Sequence, residues 1–254
     1  MPTETIASIK AQLAAGASEA DLARWRTDER QGVQKLLVQQ EKKAAKAAAD
    51  ANAFQERLSF ERDAWQRGLT VAGVDEVGRG PLAGPVVACA VVIDDTFDLI
   101  SVHDSKQLSQ VKREALDADI KEQVVAYAFS VIDADIIDDV NIYEASRIAM
   151  KEAIEKLPTQ PDELLLDAMT VDLPQPQEKL IKGDDRSISI GAASILAKNY
   201  RDELMTKYAE QYPGYGFEQH AGYGTKQHLE ALATLGVTPI HRKTFSPVMK
   251  YLND

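Results

Sequence analysis

Val71-Ala72-Gly73-Val74-Asp75-Glu76-Val77-Gly78-Arg79-Gly80-Pro81 runs from an apolar segment into two acids and a glycine-framed arginine, and residues 85–93 follow as a second apolar segment. A buried strand reads as a run of Val, Ile and Ala, so carboxylates at its end point to work that apolar residues cannot do, such as holding a cation. Neighbouring strand residues face opposite sides. Asp75 and Glu76 are therefore expected to share one site only where the strand bends or stops, and Gly78 and Gly80 permit a bend because glycine accepts positive φ. A solvated hairpin turn is the alternative for an isolated Asp-Glu pair. The specified backbone here, which continues through Leu82-Ala83-Gly84-Pro85, is longer than a simple hairpin needs.

Outward from this stretch, strand and helix patterns alternate from Gly68 onward. Strand signals lie at 71–74, 85–93, 124–132, 164–166 and 179–181, and helical periodicity at 109–122, 137–157, 190–212 and 226–235. The first three strands follow one another closely and the later ones are separated by helices, which predicts an α/β domain with a mixed sheet. Residues 1–68 read as helical throughout and are expected to form an accessory region, with the α/β domain in 69–254. Ile6, Ile9 and Leu13 keep helical spacing up to Gly16, Ser18 with Asp21 resembles a cap before Leu22 and Trp25, and Thr27 with Arg30 is a weaker start. From Val33 an Ala- and charge-rich run predicts one long exposed helix with Leu58, Phe60 and Trp65 near its end. For this region a solvated spacer and a contact with nucleic acid or protein are both open readings.

The 254 residues can bury one substantial core plus an appendage. No run of eighteen apolar residues occurs, and Met1-Pro2-Thr3-Glu4 does not lead a basic region into an apolar one, so no membrane span or secretion signal is expected and the cytoplasm is the default. Cys89 is the single cysteine and reads as a small core residue. A formal charge of -11 argues against a polyanionic ligand. That objection weakens because Lys182, Arg186, Lys198, Arg201, Lys226, Arg242 and Lys243 concentrate in the C-terminal third, and divalent cations would offset the nearest acids.

Two further acids share the character of Asp75. Asp167 ends Leu164-Leu165-Leu166, and Asp184 follows Lys179-Leu180-Ile181-Lys182-Gly183. If these strands neighbour the first, Asp75, Glu76, Asp167 and Asp184 converge at one sheet edge, where their repulsion is relieved most simply by Mg²⁺ or Mn²⁺. Each acid alone also reads as a cap or loop end, Asp184 most of all because it precedes a helix. Asp202, beside Arg201, reads as a surface ion-pair partner or as a group supporting a ligand rather than as a ligand itself. None of His103, His220, His228 and His241 stands in ligand spacing with another or with Cys89, which argues against zinc.

Residues 73–87 resemble the signature of bacterial type 2 ribonuclease H, ribonuclease HII. Further blocks are similar in the same order: Asp104-Ser105-Lys106, Asn141-Ile142-Tyr143, Leu166-Asp167-Ala168, Ile181-Lys182-Gly183-Asp184, Ala192 to Lys198, Gly222-Tyr223-Gly224-Thr225-Lys226 and Pro239 to Lys243. The resemblance implies a ribonuclease H-like mixed sheet flanked by helices, here with a helical N-terminal extension. It implies hydrolysis of RNA in RNA/DNA hybrids and incision 5′ to a lone ribonucleotide in duplex DNA, as in ribonucleotide excision repair, leaving 3′-hydroxyl and 5′-phosphate ends. Asp75, Glu76, Asp167 and Asp184 match the family's metal-binding acids, which hold two Mg²⁺ or Mn²⁺ ions during catalysis. Gly78-Arg79-Gly80 matches the loop that reads the 2′-hydroxyl through backbone groups, and Tyr223 the aromatic that stacks on the adjacent sugar. Lys182, Lys226 and Arg242 would be phosphate contacts. Gln107, Gly191 and Asn199 depart from the common pattern. Type 3 ribonuclease H is the nearest rival, disfavoured by Arg79 and the helical N-terminus. A noncatalytic hybrid-binding module and a hydrolase of small phosphorylated metabolites are the others, and a monomer is the expected state.

Overall fold

A computed structural model describes residues 4–102 and 109–252, which divide into two units, one reaching Gln55 and one starting at Glu56. The Asp104-Ser105-Lys106 block, Gln107 and His103 lie outside the described residues.

The first unit is helical. Helix α1 (Ile6–Ala15) starts where the Thr5 side chain accepts from Ser8 N–H and ends at Gly16, φ 90°. Helix α2 (Glu19–Arg26) has Ser18 accepting from Asp21 N–H, as the cap pattern predicts. The expected start at Thr27 is displaced: Asp28 takes the Arg30 N–H at 2.9 Å, and α3 (Gln31–Arg57) begins at Gln31. Ile9, Leu13, Trp25, Val33 and Leu37 form the buried core, and truncating one such aliphatic would cost about 2–5 kcal/mol. The long helix expected to reach Trp65 stops at Arg57. Leu58, with ψ 2°, leaves helical geometry and is buried, and α4 (Ser59–Gln66) follows.

The second unit is built on a sheet of β1 (Val71–Val77), β2 (Val86–Val92), β3 (Ala126–Ile132), β4 (Glu163–Asp167) and β5 (Gln177–Leu180), in the order β3-β2-β1-β4-β5. The β1–β2 and β2–β3 pairs are antiparallel, β1–β4 and β4–β5 parallel, which is the mixed sheet expected from the spacing. Helices α5 (Gln110–Gln123), α6 (Ala134–Val140), α7 (Ile142–Glu155), α8 (Gly183–Arg186), α9 (Ile188–Gln211), α10 (Phe217–His220), α11 (Lys226–Leu235) and α12 (Ser246–Met249) complete it.

Strand alternation sorts the two faces. Ala72, Val74, Ala88 and Ala90 pack with Ala145, Ala149, Met150 and Ala153 of α7, whereas Val71 and Leu165 meet Ile190 of α9. Helix α9 lies close because residue 73 is glycine: a Cβ there would stand 2.3 Å from Ile190 N. The single helix expected over 137–157 is two. Asn141 at φ 69° breaks it, and its carboxamide caps α7 by accepting from Tyr143 and Glu144 N–H. A second cluster of Leu82, Ala83, Met205, Tyr215, Phe217, Leu232 and Val248 underlies the loop after β1. None of the described helices is long and apolar enough to cross a membrane.

Candidate active site

The parallel pairing of β1 with β4 runs to Val74 opposite Leu166, so Asp75 and Asp167 come next, side by side at the carboxyl ends of adjacent strands. That edge is where open α/β sheets place their ligands. Asp75, Glu76 and Asp167 each bring a carboxylate oxygen within 4.8 Å of the others. Strand β1 does not stop between Asp75 and Glu76 but stays paired with β2 through Val77. The two side chains leave on opposite faces, and the extra methylene of Glu76 gives it reach around the strand end, which turns at Gly78, φ 96°.

Asp75 is buried against α9. Burial first, then the charges of Glu76, Asp167 and Asp184, hold its carboxyl well above the usual range, while a hydrogen bond from the Ser194 hydroxyl pulls the other way. Glu76 is pushed up to about 7 by burial and by Asp167, against the lowering pull of Arg79, whose Nη1 lies 3.5 Å from Oε1. Its other oxygen, Oε2, is buried and accepts no hydrogen bond. Clustered oxygens, raised proton affinity and one orphaned acceptor fit a divalent cation with oxygen preference, and neither sulfur nor imidazole is near enough to join them among the described residues.

Asp184 sits apart from this trio, in the short helical turn α8 and not at a strand end, because Lys182 at φ 55° turns the chain after β5. It is buried, and its charge reaches Asp75. Two anchors fix the segment. Asp167 accepts from Gly183 N–H at 2.6 Å, and Arg57 Nη2 donates to the Asp184 carbonyl at 2.8 Å and the Ser187 carbonyl at 3.3 Å, with its Nη1 on the Val102 carbonyl. Below it, the buried Glu61 Oε1 accepts from Ser187 Oγ, Ser189 N–H and Ser189 Oγ, holding the start of α9.

Gly78-Arg79-Gly80 stands over two buried arginines. Arg201 donates to the carbonyls of Pro85, Ala221 and Ala83 at 2.9–3.1 Å. Arg242 donates to the carbonyls of Gly78, Arg79 and Gly84. Burial lowers both, Arg201 to about 10 and Arg242 to about 9, which leaves them charged at neutral pH. Gly78 has no room for a side chain: a Cβ would lie 2.3 Å from Arg201 Nε. The expectation that Arg242 contacts a phosphate is corrected here. Its side chain is fully buried and donates four hydrogen bonds to loop carbonyls, so it shapes the loop from beneath.

The other candidate contacts are on the surface. Tyr223 is 46% exposed with its ring edge over Gly80, and Lys182 is exposed. Lys226 is exposed and pairs loosely with Glu230 at 3.6 Å. Asp202 pairs with Arg113 at 2.9 Å and with Lys198, the ion-pair role expected of it. Sequence reasoning missed Ser194, Arg57 and Glu61. The signal for Ser194 is a hydroxyl inside the apolar stretch 190–197 of α9, which needs a partner.

Acids at the ends of neighbouring parallel strands of this mixed sheet make a site suited to a divalent cation, and the comparisons with known proteins assign it to a metal-dependent nuclease. Residues 72–248 match the family described as Ribonuclease HII, and residues 5–65 match the Ribonuclease HII N-terminal domain. The Ribonuclease HII of Ligilactobacillus salivarius is 54% identical over 98% of each chain, and that of Leuconostoc citreum 55% identical over 97% of this chain and 96% of the other. The crystal structure of the ribonuclease H2 from Pyrococcus horikoshii OT3 is similar with a TM-score of 0.63 and 27% identity, covering 73% of this chain and 98% of that one. Bst-RNase HIII, solved in complex with Mn²⁺, shares the fold with a TM-score of 0.55 and 20% identity, covering 73% of this chain and 70% of that one. The chain belongs to the Ribonuclease HII family, and is thus an RNase H endonuclease that depends on divalent metal.

Proposed function

We propose that this chain hydrolyses the RNA strand of RNA/DNA hybrids and incises duplex DNA 5′ to a single ribonucleotide, leaving 3′-hydroxyl and 5′-phosphate ends. The observation that carries the reading is the trio Asp75, Glu76 and Asp167, whose oxygens lie within 4.8 Å of one another. With Asp184 they would hold two Mg²⁺ or Mn²⁺ ions. When bound, such ions activate the attacking water and stabilise the leaving oxygen of an in-line displacement, so no protein nucleophile is required.

The chain's own groups then bind and orient. Ser194 fixes the Asp75 carboxylate, and Gly183 N–H fixes that of Asp167. Arg201 and Arg242 draw the carbonyls of residues 78, 79 and 83–85 inward, which holds the Gly78-Arg79-Gly80 backbone ready to meet a 2′-hydroxyl, the group that separates RNA from DNA. Tyr223, half-exposed above Gly80, would stack on the neighbouring sugar, and Lys182 and Lys226 would meet phosphates. Residues 1–68 would serve as an accessory region to a catalytic domain over 69–254.

The test is an end-labelled duplex with one ribonucleotide, an otherwise identical all-DNA duplex and a long RNA/DNA hybrid, cut in Mg²⁺ or Mn²⁺ and mapped at nucleotide resolution. Incision 5′ to the ribonucleotide with a 3′-hydroxyl product is expected. Cutting of the hybrid with the lone ribonucleotide left intact would defeat the junction-reading role.

A further inference from the structure

His220, His228 and His241 are too far apart in sequence to suggest a joint role, yet the fold gathers them. The rings of His220 and His228 stack with centroids 4.9 Å apart, and His228 Nε2 lies 3.0 Å from His241 Nε2. Tyr215 and Phe217 wall the group, and His228 and His241 are fully buried.

The protons along this chain have one arrangement. Thr238 N–H donates to His241 Nδ1 at 2.9 Å, so Nδ1 carries a lone pair and the neutral ring has its hydrogen on Nε2. That hydrogen is donated to His228 Nε2. His228 then carries its hydrogen on Nδ1, which faces the Tyr223 carbonyl oxygen at 2.9 Å, an atom that only accepts. The Thr238 hydroxyl also lies 2.7 Å from His241 Nδ1 and can turn to either role, so it is the fixed polarity of the Thr238 N–H and of the Tyr223 carbonyl that sets both tautomers.

We propose that His228 and His241 are positioning residues for Tyr223, relaying a fixed backbone point at Thr238 to the peptide that follows the tyrosine. This rests on the reading of Tyr223 as the residue that stacks on the sugar beside the RNA junction. The Tyr223 carbonyl also accepts from Thr225 N–H at 2.8 Å, so both its lone pairs are engaged and the peptide plane is held. From the other side Gly222 O accepts from Leu82 N–H at 2.8 Å, and His220 Nδ1 accepts from Gly222 N–H at 3.2 Å while its Nε2–H donates to the Tyr215 carbonyl. The turn bearing Tyr223 is thereby clamped over Gly80. Only imidazole offers one donor and one acceptor on a rigid ring, which is what a buried link between an N–H and a carbonyl requires.

Protonating His228 would set N–H against N–H at the Nε2–Nε2 contact. The titratable groups that face the pair are His220 and Tyr215, whose hydroxyl donates to the Gly236 carbonyl, and the adjacent Arg242 is held by loop carbonyls. Burial holds both imidazoles below their ordinary range, His241 at about 4, so the arrangement persists through neutral pH.

Long-range ¹H–¹⁵N NMR of the labelled full chain at pH 7 reads the tautomers directly. His241 is expected as the Nε2–H form and His228 as the Nδ1–H form, and the opposite tautomer or a mixture on His228 overturns the relay. Kinetics then test its purpose on the single-ribonucleotide duplex. His228→Phe is expected to lower kcat/KM about ten-fold. His228→Asn, which keeps an N–H near the Nδ1 position but has no acceptor where Nε2 meets His241, should recover only part of that loss, and full recovery would show that the link to His241 is not needed. In a Tyr223→Ala background His228→Phe should cost nothing further, whereas an additive loss would show that His228 does not act through Tyr223. Wild-type activity in Tyr223→Ala itself would overturn the reading of Tyr223, and with it this proposal, even where NMR finds the expected tautomers.

Discussion

Arg57 donates through Nη2 to the carbonyl oxygen of Asp184 at 2.8 Å, which ties the start of the second unit to the backbone of a candidate metal ligand. The same guanidinium serves the carbonyls of Val102 and Ser187, three acceptors that a lysine ammonium cannot meet with the geometry of a planar fork. Arg57→Ala and Arg57→Lys are therefore both expected to raise the Mg²⁺ concentration for half-maximal cleavage, by about ten-fold, with far-ultraviolet circular dichroism unchanged. The loss corresponds to ~1.4 kcal/mol, the scale of one hydrogen bond to a charged group. A Mg²⁺ titration of activity for the two variants checks it.

Glu76 keeps its proton up to about pH 7 in the folded chain, against an ordinary value of 4.5. Between these values the folded state binds more protons than the unfolded one, so stability falls as pH rises through the window. Asp75, also raised, acts in the same direction. Metal-free Glu76→Gln protein should therefore be more stable than wild type at pH 8, by up to roughly 3 kcal/mol because each pH unit across that window is worth about 1.4 kcal/mol, and equal to it near the ordinary value. Urea denaturation in chelator at the two pH values measures this. Mg²⁺ should raise the Tm of the wild type more than that of the variant.

Glu61 offers one buried oxygen to three donors at the start of α9. Glu61→Ala strands the buried Ser189 N–H and lets only one of the Ser187 and Ser189 hydroxyls donate, to the other across their 3.1 Å contact, and should lower the unfolding free energy by about 2–4 kcal/mol. The midpoint of a denaturant titration reads the change.

Arg242 and the surface lysines separate by salt dependence. Each phosphate contact contributes about 0.9 to the slope of log K against log salt. Lys182→Ala and Lys226→Ala should each flatten the slope for a ribonucleotide-containing duplex by about one. Arg242→Ala should leave the slope unchanged and lower Tm instead, because it unseats the carbonyls of Gly78, Arg79 and Gly84.

Much of this arrangement was legible in the chain. The apolar strands on either side of residues 75–80, the acids at the end of the first and the strand–helix alternation behind the mixed sheet are local patterns, and the cap at Ser18 is local chemistry. What escaped depends on tertiary context. Asn141 breaks a helical pattern without Gly or Pro because its carboxamide caps the next helix. Arg242 reads as surface charge, since a sequence does not reveal which way a side chain faces, and the buried loop carbonyls that hold it lie more than 150 residues earlier. The contact between His228 and His241 needs α11 and the segment after it to fold back together, which spacing alone does not disclose. Asp184 was placed at a strand end, whereas the left-handed turn at Lys182 sets it in a helical turn.

Everything proposed for the site depends on the acids at the ends of β1 and β4 holding the divalent ions that cut beside a ribonucleotide. The most direct measurement compares wild type, Asp75→Asn and Asp167→Asn on a labelled duplex with one ribonucleotide, in Mg²⁺, in Mn²⁺ and in chelator. Wild type is expected to incise in either metal and not in chelator, and both variants to lose at least about a hundred-fold in rate at unchanged duplex affinity. Incision that survives the chelator, or that either variant retains at wild-type rate, would contradict it.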